Sequence, residues 1–236
     1  MNTLLLGFLI VSLGIVLSWL GLRTVRRFVP VALLKAHHEV AGFIIGVLGA
    51  IYAVLLAFVV VALWNQYEDA RSAVEREANQ LGDLAHITRG FADQKERHRL
   101  TGMIGAYTGS AITDEWPAMA QGKASLRTQS ALDQLWRVYL EIDPETYRDS
   151  TLYDQSVSTL RDLSDSRRLR LFASRNDLPI LIQLLLWGGG VITISFTYFF
   201  GVESIRAQSL MTAGLTGIIA FNLFLVLALD NPFHGF

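Results

Sequence analysis

The sequence predicts an all-α membrane protein: four transmembrane helices, with an extramembrane helical bundle between spans two and three. Of the 236 residues, 52% are hydrophobic and only 17% are charged, whereas a soluble domain carries about a quarter charged residues. Four blocks contain no Asp, Glu, Lys or Arg, namely Leu4–Leu22, Ala41–Trp64, Leu178–Val202 and Ala207–Leu229. A helix needs about 20 apolar residues to cross a bilayer, so each block is long enough to be a span.

The first block is predicted to be a retained anchor. A signal peptide begins with basic residues, whereas residues 1–22 contain none and Arg23, Arg26 and Arg27 follow the block. Basic residues in short loops favour the cytoplasm. This loop and the loop with Arg206 are therefore predicted to be cytoplasmic, which places the helical domain on the outer face. Arginines of the domain near its two membrane ends favour the opposite orientation.

The chain is expected to divide into residues 1–64, 65–177 and 178–236. The second span continues past Trp64 as a helical rod that ends at Gly90, because residues 65–89 contain no proline and keep a helical stripe. Further helices are predicted from Asp93, which resembles a capping box with Glu96, to about residue 113, then over 124–141 and 147–174. Asp114-Glu115-Trp116-Pro117 is predicted to break the helix, because proline disfavours helix in its predecessor.

Charges on the outgoing rod and the returning helix share a spacing of seven. Glu68 and Glu75 lie on the rod, and Arg168 and Arg175 lie on the helix that returns to the membrane. Because the two helices run antiparallel, Glu68 is predicted to face Arg175, and Glu75 to face Arg168. A solvated charge face is the alternative. Exposed pairs contribute only about 0–1 kcal/mol each, so their role would be to fix register.

Asp230 follows the fourth span, where an acid opposes the helix dipole. It is therefore expected to have a basic partner at the membrane surface, with Arg175, Arg170 or Arg71 as the candidates.

Small residues recur on one face of span two, at spacings of three and four: Gly42, Gly46, Ala50, Ala53 and Ala57. Such a face lets membrane helices approach closely. It is a candidate for helix packing within one chain, or for association between copies around a pore. No ionisable acid or base lies within the four blocks, so a pore there would have an apolar constriction and would gate by size or dewetting.

The sequence contains no nucleophile, phosphate-binding or dinucleotide motif of known spacing. The five histidines show no metal-ligand spacing, and the net charge of −1 offers no footprint for nucleic acid. We therefore expect no enzymatic activity, no metal, no cofactor and no nucleic-acid partner.

Six short segments, in order along the chain, carry a family resemblance. They are His38-Glu39-Val40-Ala41-Gly42-Phe43, Tyr52-Ala53-Val54-Leu55-Leu56-Ala57-Phe58-Val59-Val60, Glu77-Ala78-Asn79, Asp114-Glu115-Trp116-Pro117, Arg167-Arg168-Leu169-Arg170-Leu171 and Asp230-Asn231-Pro232-Phe233-His234-Gly235. Together they resemble the bestrophin-like family of bacterial membrane proteins, and the resemblance covers nearly the whole chain. It implies a multi-pass protein of the bacterial plasma (inner) membrane.

True bestrophins have a similar layout. They are pentameric ion channels with four spans per subunit and a large domain between spans two and three, although that domain is cytosolic. The sequence has no acidic calcium clasp of their kind, so calcium gating is not carried over.

Two hypotheses follow for the function. The first is a homo-oligomeric, channel-like pore with an apolar constriction, in which span two lines the pore or forms the central seam. The alternative is a non-conducting sensor or scaffold, in which the helical domain binds a protein partner and the spans anchor it in the bilayer.

Overall fold

The computed structural model describes residues 3–31, 34, 38–144, 146–176, 178–230 and 233, and these residues form helices without any strand. They fall into two compact units. The membrane unit comprises the chain up to Asn65 together with Leu178–Asp230. The helical unit comprises Gln66–Asp177 together with Phe233.

The helices follow one another in a simple order. They are α1 (Thr3–Phe28), α2 (His38–Thr88), α3 (Gln94–Ser110), a π-helical turn (Ala111–Glu115), α4 (Trp116–Met119), α5 (Leu126–Leu140), α6 (Tyr147–Ala173), α7 (Ile180–Phe196) with a 3₁₀ turn (Thr197–Phe199), and α8 (Ile205–Asp230).

Four helices are long and apolar enough to cross a membrane: Leu5–Phe28, Glu39–Thr88, Ile180–Phe199 and Ile205–Asp230. They overlap the four predicted blocks and are candidate membrane spans. The second runs without interruption to Thr88, as predicted for the rod that follows Trp64.

Two glycines of α1 pack against bulky side chains from the last two spans. A Cβ on Gly7 would lie 2.7 Å from the ring of Phe224, and one on Gly21 would lie 2.8 Å from the hydroxyl of Tyr198. Tyr52 of α2 inserts in the same way against Gly189 of α7 and donates a hydrogen bond to the carbonyl oxygen of Leu186 at 3.0 Å. Each glycine provides a notch, and the neighbouring aromatic ring fixes the helix pair.

The helical unit has its own hydrophobic core. It contains fully buried side chains from α2, α3, α5 and α6, among them Leu84, Leu100, Leu135, Tyr139, Leu160 and Leu163. Side-chain caps set the helix starts. Asp93 accepts the backbone N–H of Lys95 at 2.9 Å, and Ser125 accepts that of Thr128 at 3.2 Å. The predicted start at Asp93 is confirmed, although the bond comes from Lys95 and not from Glu96.

The predicted break at Asp114–Pro117 is wrong. The helix widens into the π-helical turn, and the backbone N–H of Trp116 reaches back five residues to the carbonyl of Ala111. Pro117 then falls in the first turn of α4, where its missing N–H removes no intrahelical bond. The helical course therefore continues to Met119.

Leu163 is fully buried in the core, whereas Leu169 on the same helix is 50% exposed. We expect Leu163→Ala to lower the free energy of unfolding of the full chain in detergent by about 2–5 kcal/mol, because it leaves a cavity. Leu169→Ala should change it by about 0.5 kcal/mol or less. Guanidinium titration followed by circular dichroism measures both, and equal losses would contradict the assignment of Leu163 to the core.

Candidate functional site

The predicted small-residue face of α2 is open in the single chain. Gly46, Ala50, Ala53 and Ala57 are exposed or lie at the surface, and a Cβ added to Gly46 would meet nothing within 4 Å. A Cβ on Gly42 would meet a ring carbon of Phe200 at 3.8 Å. Apart from this one contact, the described part of the chain does not use the face for its own packing.

A different edge of α2 holds the helix to its own chain. Tyr52 and Leu56 are buried there. On the far side of the small-residue face, large apolar side chains such as Phe43, Ile51 and Phe58 are exposed. The helix therefore has a packed edge, a small-residue face and a bulky apolar face, and the described part of the chain covers only the first.

A second candidate lies in the helical unit, where three distant segments bring four charged side chains together. Glu77 comes from α2, Glu115 from the π-helical turn, and Arg167 and Arg170 from α6. None is more than 5% exposed. We call these four residues the charge cluster. Its two acids and two bases balance, so the cluster carries no formal net charge.

Arg170 lies between the two carboxylates. Its Nε donates to Oε2 of Glu77 at 2.5 Å, and its Nη2 donates to Oε1 of Glu77 at 3.0 Å and to Oε2 of Glu115 at 2.8 Å. Its Nη1 contacts the sulfur of Met119. One guanidinium thus links α2 to the π-helical turn through α6.

Arg167 forms the other half of the charge cluster. Its Nε and Nη2 bind the two carboxylate oxygens of Glu115 at 3.0 and 2.6 Å. The remaining Nη1 donates to the side-chain oxygen of Gln129 on α5 at 2.5 Å. Fork-to-fork pairs of this kind are among the strongest hydrogen-bonded ion pairs.

Neutral groups complete the hydrogen bonding. The hydroxyl of Tyr107 on α3 donates to Oε1 of Glu77 at 2.6 Å, and the backbone N–H of Ser125 donates to Oε1 of Glu115 at 3.4 Å. The charge cluster therefore joins α2, α3, the π-helical turn, α5 and α6. All four of its charged side chains are paired and shielded from water, so the charge cluster links these elements directly.

Local structure explains why the acids point inward. Glu77 continues a buried stripe of α2 that contains Ala70, Ala73 and Leu84 at helical spacing. Glu115 is turned into the core at the end of the π-helical turn. Single π turns of this kind are frequent at functional sites.

Burial and charge act against each other at Glu115. Burial by itself raises the pKa of this carboxyl, but the hydrogen bonds and positive charges of Arg167 and Arg170 outweigh it, and the pKa lies below its ordinary value. Burial raises the pKa of the Tyr107 hydroxyl, and the adjacent Glu77 carboxylate raises it further. Glu115 is therefore held ionised and Tyr107 is held as a neutral donor.

The structure gives the predicted surface pairs other partners. Glu75 accepts a hydrogen bond from Arg71 at 3.0 Å, Arg168 pairs with Asp165, and Arg175 donates to the carbonyl of Gly122 at 3.0 Å. Glu75 raises the pKa of the Arg71 guanidinium most, and Glu68 raises it further through its charge. These contacts lie within each helix and with a loop, and the pairing of Glu68 with Arg175 and of Glu75 with Arg168 stays a prediction.

Asp230 is buried at the end of α8 and accepts the backbone N–H of Leu178 at 2.9 Å. It therefore satisfies a donor at the start of the third span. Its pairing with Arg175, Arg170 or Arg71 stays a prediction.

Sequence reasoning missed the charge cluster, although a signal was present. Glu77, Glu115, Arg167 and Arg170 all stand in the segments that carry the family resemblance, and three such segments meet here. When several family segments each contain charged residues, acids and bases from different segments are candidates for contact with one another.

Comparison with protein families supports that resemblance. A family model described as a bestrophin-like domain matches residues 11–236. Comparison with curated proteins gives no match, and comparison with solved structures gives none either.

Removing one member of the charge cluster should be strongly destabilising. We expect Arg170→Met to lower the free energy of unfolding by about 3–5 kcal/mol, because it leaves the buried carboxylate of Glu77 without its counter-ion. Arg168→Met removes an exposed pair and should cost less than about 1 kcal/mol. Adding Glu77→Met to Arg170→Met should recover part of the loss in a double-mutant cycle. Additive losses would mean that the two side chains are not coupled.

The lowered pKa of Glu115 predicts how stability changes in acid. The stabilisation from its ionised form is fully present above the unfolded-state value of about 4.3 and is lost as the pH falls through the lower folded-state pKa. The stability gap between the wild type and Glu115→Gln should therefore narrow in this range. Denaturant titrations across this pH range measure the gap. A constant gap for Glu115→Gln would contradict the shift.

Proposed function

The chain belongs to the bestrophin-like family, and on that premise we propose that it is a homo-oligomeric, channel-like membrane protein with span two at the central axis. The proposal rests on one observation above all. Among the residues that the structure describes, the small-residue face of α2 has no neighbour at Gly46, while the adjacent edge with Tyr52 is packed.

A face of glycine and alanine favours association between helices in a bilayer. Lipid tails are as apolar as side chains, so helices associate through close van der Waals contact, and small residues allow their backbones to approach. Copies that meet along Gly46, Ala50 and Ala53 would bring α2 together around an axis. Whether the helices seal this axis or line an opening depends on their number.

An opening along α2 would be apolar. The membrane part of the helix contains no charged residue between Ala41 and Trp64, and the small-residue face itself consists of glycine and alanine. Such a constriction excludes ions by dewetting until it widens. Gating by a change in helix spacing is therefore part of the proposal.

We place the helical unit outside the bilayer, as a bundle between spans two and three, in the bacterial inner membrane. Its charged helices support this, because α6 alone carries Arg148, Asp149, Asp154, Arg161 and Asp162 in addition to its share of the charge cluster. The basic short loops favour the outer face for this bundle.

Reconstitution into liposomes tests the channel. A potassium chloride gradient, followed with ion-sensitive dyes for each ion, should dissipate faster with the wild-type chain than without protein. Gly46→Trp and Ala50→Trp should return the flux to the level of protein-free liposomes, because an indole at the axis fills the opening or separates the helices.

Ile51→Trp is the matched control, because Ile51 is exposed and lies about 100° around the helix from Ala50. Its flux should equal that of the wild type. Since the chain has no cysteine, Ala50→Cys and Ile51→Cys also allow clean cross-linking, and copies should link through Ala50→Cys. A stable oligomer that cross-links at this position without flux would contradict the channel and support a scaffold that binds a partner through the helical bundle.

A further inference from the structure

A groove of about 560 Å³ lies between α1 and α8 within the membrane unit. Its apolar walls come from Ile15, Val16 and Trp19 of α1 and from Leu210 of α8, among others. Val16 and Leu210 are 52% and 76% exposed, so the groove opens toward the surroundings of these two spans.

Two arginines line one end of the groove. Arg23 is near the end of α1, and Arg206 is the second residue of α8. The Arg23 guanidinium lies 4.1 Å from the ring centroid of Trp19, which orients it over the groove. Neither arginine forms an ion pair with an acid in the part of the chain that the structure describes, and no acid lines the groove.

The polarity of the groove changes along one direction. From Ile15 to Arg23 is eight residues, or about 12 Å along the helix, and over this length the lining changes from aliphatic to aromatic to cationic. A free anion would be held at the arginines but would leave the apolar part empty. A hydrocarbon chain alone would leave the two charges uncompensated.

We propose that this groove binds an anionic phospholipid, with an acyl chain along Ile15 and Val16 and the phosphate between Arg23 and Arg206. Because one end of the groove carries two positive charges, it favours a lipid with net negative charge over a zwitterionic lipid. Basic pockets between membrane helices bind anionic headgroups. The basic end of the groove adjoins the short loops whose arginines are predicted to face the cytoplasm, the side on which anionic lipids attract basic residues.

Native mass spectrometry of the purified full chain tests the proposal, with phosphatidylglycerol and phosphatidylcholine as the two lipids. The wild type should retain phosphatidylglycerol more tightly. Arg23→Gln and Arg206→Gln should each weaken that binding about fivefold, since an arginine next to the anionic headgroup contributes about that factor. Arg27→Gln has the same charge change on an exposed residue of the same helix outside the groove, and should bind like the wild type.

A second pair of variants tests the apolar part. Val16→Trp fills the groove and should weaken the binding of phosphatidylglycerol, whereas Leu20→Trp, at an exposed position of α1 outside the groove, should not. Inorganic phosphate at the same concentration should fail to displace the lipid.

Three results would overturn the proposal: equal affinity for the two lipids, equal weakening by Arg27→Gln, or displacement by phosphate alone. A change of oligomeric state in Val16→Trp without any lipid preference in the wild type would assign the groove to a second copy instead. Circular dichroism shows that each variant is folded before its binding is compared.

Discussion

The helical unit depends on the position of one guanidinium, that of Arg170, between the carboxylates of Glu77 and Glu115. Transfer of each of these charges from water costs several kcal/mol, and only close pairing with full hydrogen bonding offsets that cost. A shift of α2, α6 or the π-helical turn would leave a buried charge without a partner. Apolar side chains of the same volume could be as stable, so the charge cluster specifies the register of these elements more than it adds to their stability.

Local features of the sequence were sufficient for the spans and most helix boundaries. The uncharged blocks have a length that the bilayer sets, and they match four helices. The absence of proline and the periodicity of residues 65–89 predicted the rod, which continues to Thr88. The start at Asp93 depends on a single side-chain bond next to it in the sequence. Each of these features is decided by residues within a few turns of one another.

Which residues of the rod and the returning helix contact each other could not be predicted from any local sequence pattern. Glu75, the residue singled out on the rod, lies two residues before Glu77, which is about 200° around the helix. It therefore faces away from the buried contact and accepts a hydrogen bond from Arg71. The register depends on the whole core of the unit. Pro117 misled in a similar way, because it falls in the first turn of α4, where its missing N–H removes no intrahelical bond. Nothing in the adjacent sequence distinguishes the π-helical turn before it from a break.

The glycines of the membrane unit fall into two groups, those in contact with an aromatic ring and those without such a neighbour. Gly7, Gly21 and Gly189 each receive an aromatic ring from a neighbouring span of the same chain, and these notches fix the packing of α1, α2, α7 and α8. Gly46 meets no neighbouring side chain among the described residues, and lipid imposes no hydrophobic cost for leaving it uncovered. An uncovered glycine face gains energy only when another surface comes close enough for van der Waals contact. The aromatic notches are satisfied within one chain, whereas the face of α2 has room for the close approach of a second helix, and this difference is the basis of the proposed association between copies.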